Sequence, residues 1–136
     1  MALALALRRA VFIDEQRVPE DLEIDEHDRD DRQAVHAIVR KDPDGLVLAT
    51  GRMYPIDERT VQLGRMAVRT GNRRLGIGRL LLAELLCEAR RRGFVTVVIH
   101  AQDYAIEFYR KAGFISVGDQ FLEAGIVHRT MTYELR

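Results

Sequence analysis

The run "VQLGRMAVRTGNRRLGIGRLLLAELLCEARRRG" (61–93) constrains the fold more than any other stretch of this chain. Residues 61–68 read as a strand, with Gly64 marking a bulge or a close backbone approach. A loop rich in arginine and glycine follows, and then a helix over 77–92. Ile77, Leu80, Leu81, Leu85 and Ala89, flanked by Leu82 and Leu86, form its expected apolar face, and Gly93 stops it. A strand that passes through a glycine loop straight into an amphipathic helix is a β-loop-α unit, and it needs a sheet to bury against.

Spacing sorts what the loop can hold. Gly71 and Gly76 have Walker spacing, but Ile77 and Gly78 stand where Lys and Ser/Thr must be. The dinucleotide pattern begins at Gly76 and Gly78 and fails at Leu81, with no acidic residue in the "TVVI" region downstream. What fits is R-x-x-G-x-G, met by Arg73, Gly76 and Gly78. Backbone N–H groups from Arg74 through Leu75 and Ile77 to Arg79 would converge at a helix N-terminus, where dipole and unpaired donors favour an anion. Arg73, Arg74 and Arg79 add charge-assisted bonds to a phosphate. From the loop alone, an anion nest and a plain turn before a core helix stay equally open.

The rest of the chain supplies the sheet. Residues 33–41 and 46–54 read as a hairpin around the "DPDG" turn, and 94–100 ("FVTVVIH") as a central strand covered on both faces. A short helix over 103–113, with Asp103 as N-cap and Gly113 as terminator, precedes strands over 114–118 and 127–135 joined by a loop. Residues 4–15 read as a first helix, with Leu5, Arg8, Arg9, Phe12 and Ile13 dividing buried from wet. This order predicts an α/β fold, a mixed sheet with helices on its faces, as one domain over 1–136.

Composition excludes several classes. The lone cysteine, Cys87, rules out an intramolecular disulfide and a cysteine metal cluster, and is expected to be a buried thiol in a reducing, cytoplasmic setting. "MALALALRRAVF" carries its basic residues after the apolar stretch, the reverse of a signal peptide, and no run approaches the ~20 apolar residues of a membrane span. Net charge is zero, yet residues 14–31 hold ten acids against two arginines, and 65–92 hold eight arginines against two glutamates. That sorting suits an anionic and a cationic ligand side by side. Zero net charge, no tryptophan and no stacking motif argue against a nucleic-acid partner.

Two blocks in order, "LGRMAV…NRRLGIGRLLLAELLCEARRRGF" and "HAQDYAIEFYRKAGF", resemble the acyl-CoA-binding core of the GNAT superfamily of N-acetyltransferases. The second meets that family's A-x-x-F-Y-x-x-x-G-F pattern with Ala105, Phe108, Tyr109, Gly113 and Phe114. The front segment "VFIDEQRVPEDLEIDEHD" and the tail "EAGIVHRTM" resemble the small bacterial ElaA-like branch. Arg74 stands where the family usually has glycine, and Gln102 where it often has asparagine. Met1–Ala10 is too short for both the family's opening strand and its first helix.

The resemblance implies a GNAT-like sheet splayed between strands 61–68 and 94–99, with acetyl-CoA as cosubstrate, no metal, and a primary amine as acceptor. Loop residues Arg73 to Arg79 would hold the pyrophosphate. Backbone groups of Met66, Ala67 and Val68 would pair with the pantetheine arm, with an N–H near Met66 facing the thioester oxygen; Gln102 and Tyr109 would complete the cofactor site. Tyr109 is the expected general acid, although as bare sequence it also reads as a core aromatic. His100, His128 and Glu15 are candidate bases or pocket residues, Glu26 is a further candidate base in the acidic front segment, and Arg65 and Gln16 are expected to face the cleft. The acidic front segment would steer a cationic amine. Dimers are common in the family, so a homodimer is one assembly the resemblance allows. The alternative is an acyl-CoA-binding sensor or partner domain without catalysis.

Overall fold

The computed structural model describes residues 34–40, 47–69 and 76–135. The expected helix over 4–15, the "DPDG" turn, Glu15, Gln16, Glu26 and the loop residues Arg73, Arg74 and Leu75 lie outside the described residues. Six strands form one mixed sheet: β1 (Val35–Arg40), β2 (Val47–Pro55), β3 (Thr60–Val68), β4 (Thr96–Gln102), β5 (Ile115–Glu123) and β6 (Ile126–Glu134), in the order β1-β2-β3-β4-β6-β5. Neighbours are antiparallel except β3 and β4. Helix α1 (Ile77–Arg91) follows β3; a 3₁₀ turn (Asp103–Ala105) and the short α2 (Ile106–Lys111) follow β4.

The parallel pair decides the shape. β3 and β4 pair from Thr60↔Thr96 to Leu63↔Ile99, and there the ladder ends. Both strands run on, β3 to Val68 and β4 to Gln102, so the sheet opens between them at their C-terminal ends. β3 also carries one extra residue against β2: Thr50 pairs with Ala67 but Arg52 with Gly64. That bulge sits where Arg65 has φ 52°, a left-handed conformation uncommon for a residue with a Cβ. The bulge expected at Gly64 is therefore present one residue on, and the alternative of a close approach is not, because a Cβ on Gly64 would meet nothing within 4 Å.

Close approach falls instead on Gly51. A Cβ there would lie 2.7 Å from Met66 Sδ and 2.9 Å from Leu85 Cδ1, so this glycine lets α1 and the bulged strand pack directly on β2. Gly51→Ala is expected to cost about 1–3 kcal/mol, the usual penalty of overpacking. Urea unfolding would show a lower midpoint at unchanged slope.

Strand alternation sorts the core. Val97, Ile99 and Ala101 share one face of β4, and they pack with Leu63, Leu81, Leu82, Leu85, Tyr109, Phe114 and Met131 in a single buried cluster. Both described helices lie on this face. β4 is central as expected, but the opposite face carries Val98 and the exposed His100 and so is not fully covered. On that opposite face, β-pairing aligns Thr50, Arg52, Gln62, Gly64, His100 and His128. All three buried polar or charged residues among those described, Thr50, Arg52 and His128, belong to it.

Four expectations need correction. Leu80 is 53% exposed: at ~100° per residue it lies nearly opposite the buried stripe Leu81, Leu82, Leu85, Leu86 and Ala89. Gly78, not Leu80, occupies the inward position one turn earlier. The same geometry places Cys87 on the solvent side, so the thiol is exposed rather than buried. Asp103 makes no side-chain cap; the helix enters through the 3₁₀ turn, and Asp103 Oδ1 instead accepts from Gln120 Nε2 at 3.4 Å. Finally, the last strands are not joined by a long loop. β5 bulges between Val117 and Phe121, where Gly118 has φ 75°, and continues to Glu123. A two-residue turn with both φ positive (Ala124 53°, Gly125 77°) then reverses the chain.

Candidate active site

The open end of the β3–β4 pair is where an α/β sheet offers a ligand site, outside the carboxyl ends of parallel strands. Three structures converge on it. The first is the start of α1. Gly76 caps the helix at φ 80°, and neither a capping side chain nor an acidic residue occupies the first turn. The N–H groups of Ile77, Gly78 and Arg79 are the first-turn donors that a helix cannot satisfy from within. Arg69 pins the strand side of the loop, donating from its backbone N to Leu48 O (2.7 Å) and from Nε to Val47 O (2.8 Å).

Two glycines here answer to different constraints. Gly76 is required by its positive φ. Gly78 has no such requirement, and a Cβ there would find ordinary contacts at 3.5 Å with Phe108 Cζ and Val68 Cγ2. The chain's own packing therefore tolerates a methyl group at Gly78.

The second structure is α2, which presents Tyr109 and Phe108. Tyr109 is buried, edge-on to Phe108 (centroids 5.1 Å apart) and to Phe114 (5.6 Å). Burial pushes its phenol well above the ordinary value, with a smaller push from Tyr104, so it stays protonated through the neutral range. Phe108 is half-exposed beside Gly78. Gly113 ends the helix as expected, at φ 108°.

The third is a cluster on the opposite face of the sheet. His100 is the first residue of β4 beyond the last β3–β4 pair. Its Nδ1 lies 3.2 Å from Glu123 Oε1. His128, opposite Gln102 on β6, is buried; its Nδ1 is 2.7 Å from the carbonyl oxygen of Ile126 and its Nε2 3.6 Å from Glu123 Oε2. Phe121 packs edge-on to His100 (5.1 Å) and stacks on His128 (5.9 Å). The hydrogen bond from His100 holds the Glu123 carboxyl below its usual range; burial opposes this, and the charges of His100, His128 and Arg65 support it. Glu123 is thus an ionised partner for His100, and its stabilising effect is present above the ordinary carboxyl range and lost as pH falls through its lowered value.

The fold brings together Met66, Ala67, Val68, Gly76, Ile77, Gly78 and Arg79 on one side of the opening. Tyr109 comes from α2 on the core face, and His100, Gln102 and His128 lie on the other face of the sheet. Sequence reasoning missed Glu123, because it depended on an early end to β5. The available signal was the alternation of Phe121 and Glu123 against Ile126 and His128 across a short turn. Among the described residues no cluster of His, Cys, Asp and Glu is arranged to hold a metal, and no helix is long and apolar enough to cross a membrane.

Known proteins are similar to this chain in sequence and fold. Residues 10–135 match the family described as an acetyltransferase (GNAT) domain. The chain is 33% identical over 132 residues to the protein YyaT of Bacillus subtilis, covering 97% of this chain and 87% of YyaT. A crystal structure from Lactobacillus plantarum is similar with a TM-score of 0.90 at 32% identity, over 99% of this chain and 90% of that one. Escherichia coli ElaA is similar with a TM-score of 0.83 at 27% identity, over 96% and 87%. This chain belongs to the GNAT acetyltransferase family, with the fold that its two motifs implied, and is an acetyl-CoA-dependent acyltransferase.

Proposed function

We propose that this protein transfers an acetyl group from acetyl-CoA directly to a primary amine of a small molecule or peptide. The observation that carries the reading is the opened sheet, with an anion-ready helix start and a protonated, buried Tyr109 on one face and a histidine on the other. The pyrophosphate of CoA is assigned to the loop 73–79 and the N–H groups of Ile77, Gly78 and Arg79. The pantetheine arm is assigned to the part of β3 that has left β4, where Met66, Ala67 and Val68 offer backbone groups in the manner of an added strand.

In the reaction the neutral amine nitrogen attacks the thioester carbonyl carbon. Negative charge develops on the carbonyl oxygen, for which a backbone N–H beside the Arg65–Met66 bulge is the donor; such donors are worth about 10²–10³ in rate. The C–S bond then breaks, and Tyr109 gives its proton to the departing sulfur. Burial raises the basicity of a thiolate as it does that of a phenolate, so the transfer remains feasible in this apolar setting.

Calorimetry with acetyl-CoA, paired with thiol release against a panel of primary amines, tests the reading. Binding and amine-dependent release are expected. Binding without release for any amine would favour a sensor domain instead. Gly78→Ala checks the packing of the helix start: a Cβ there meets only ordinary contacts, so the melting temperature without ligand should hold or rise, since alanine exceeds glycine by up to ~1 kcal/mol in a helix.

A further inference from the structure

We infer that His100 is the general base for the acceptor amine and that Glu123 is its positioning residue, the pair forming a dyad built across the β4–β6–β5 edge of the sheet. The inference rests on the acetyl-transfer reading above, and three observations carry it.

The first is placement. The ladder between β3 and β4 ends at Ile99, so His100 is the first β4 side chain past the point where the strands part. Alternation puts it on the face opposite Val97, Ile99 and Ala101, whereas Tyr109 packs with those residues. Acid and base therefore approach the opening from opposite faces, which keeps the departing sulfur and the arriving nitrogen apart.

The second is the tautomer. An ionised carboxylate only accepts, so the 3.2 Å contact between His100 Nδ1 and Glu123 Oε1 places the hydrogen on Nδ1. The remaining nitrogen, Nε2, then carries the lone pair. Histidine in this state takes a proton on Nε2 while the carboxylate steadies the positive ring that results.

The third is the contrast with His128. Its Nδ1 already donates to the carbonyl of Ile126 at 2.7 Å, its Nε2 faces Glu123, and its side chain is 7% exposed. Both nitrogens face protein groups, so it serves to bracket Glu123 rather than to reach a substrate. His100, with 37% of its side chain exposed, is the histidine of the cluster that solvent reaches.

The proton inventory closes. As the C–N bond forms, the amine proton passes to His100 Nε2; as the C–S bond breaks, the Tyr109 proton passes to sulfur. Amide and free thiol leave, and solvent returns one proton from His100 to Tyr109.

Long-range ¹H–¹⁵N spectra of the histidine-labelled full chain test the dyad without any acceptor. With four histidines in the chain, loss of one ring system in His100→Gln identifies its signals. The wild type should show His100 protonated on Nδ1, and Glu123→Leu, which leaves no acceptor, should abolish that preference; a wild-type ring protonated on Nε2 overturns the inference.

With an amine found by the panel, His100→Ala should lower kcat about 10²–10⁴-fold, partly restored by added imidazole, at unchanged acetyl-CoA affinity. Glu123→Gln should cost roughly 10–100-fold in the wild type and nothing further in His100→Ala, the behaviour of directly coupled residues. Equal costs in both backgrounds would show a merely structural Glu123. Turnover undiminished in His100→Ala would remove the base while leaving acetyl transfer standing, whereas a wild type inert to every amine would remove acetyl transfer itself.

Discussion

Tyr109→Phe is expected to lower kcat for acetyl transfer by about 10²–10⁴-fold, the usual worth of a positioned proton donor. The change removes one hydroxyl and keeps the ring. Its edge contacts with Phe108 and Phe114 survive, so the melting temperature should shift little. Acetyl-CoA affinity should be retained, because the helix start and the unpaired part of β3 are untouched. An unchanged kcat on an accepted amine would reduce Tyr109 to a core aromatic. Alkaline titration gives an independent check. Burial raises the folded phenol above its unfolded value of ~10, so the folded state binds that proton more tightly. The resulting stability is full below pH ~10 and is lost as pH climbs above it. Tyr109→Phe should lack that part of the alkaline loss.

Phe114→Ala is expected to cost about 3–5 kcal/mol, the range for truncating a fully buried aromatic residue. Phe114 is 1% exposed and lies between Tyr109 (5.6 Å) and Tyr133 (5.2 Å). It is the bracket that holds α2 against β5 and β6. Its removal opens a cavity directly behind the Tyr109 ring, so kcat should fall along with stability even at temperatures where the variant remains folded. Denaturant unfolding and steady-state rates on the same preparation separate the two losses. Phe114→Leu, which refills most of the volume, should recover the larger part of both. A stability loss below ~1 kcal/mol in Phe114→Ala would contradict the packing described, since so small a cost requires a site that collapses without strain.

Much of the fold could be read from local pattern. The β3-loop-α1 unit, the central β4, the glycine stops at Gly93 and Gly113 and the sheet class all follow from periodicity and turn chemistry, which act over a few residues. Errors arose where the answer depended on distant partners. A leucine-rich run fits several helical stripes, so local pattern puts Leu80 and Cys87 on the buried side; the sheet beneath decides which stripe turns inward. The sequence reads as a strand ending at Gly118, but pairing with β6 carries β5 through a bulge to Glu123.

The candidate site divides along the same line. The anion-ready helix start is legible because glycine spacing, arginines and the following helix adjoin in sequence. So is Tyr109, through a motif of ten residues. The His100–Glu123 pair is not, because the two residues lie 23 positions apart and meet only when β5 reaches past its bulge to the Ala124–Gly125 turn. Backbone preference and side-chain periodicity are local, so the order of residues alone sets which segments become strand and helix. Where β3 and β4 part, which face of the opening each side chain serves, and which carboxylate holds the histidine emerge only once the strands have paired. Those depend on strand register, and a shift of one residue would exchange every side chain between the two faces.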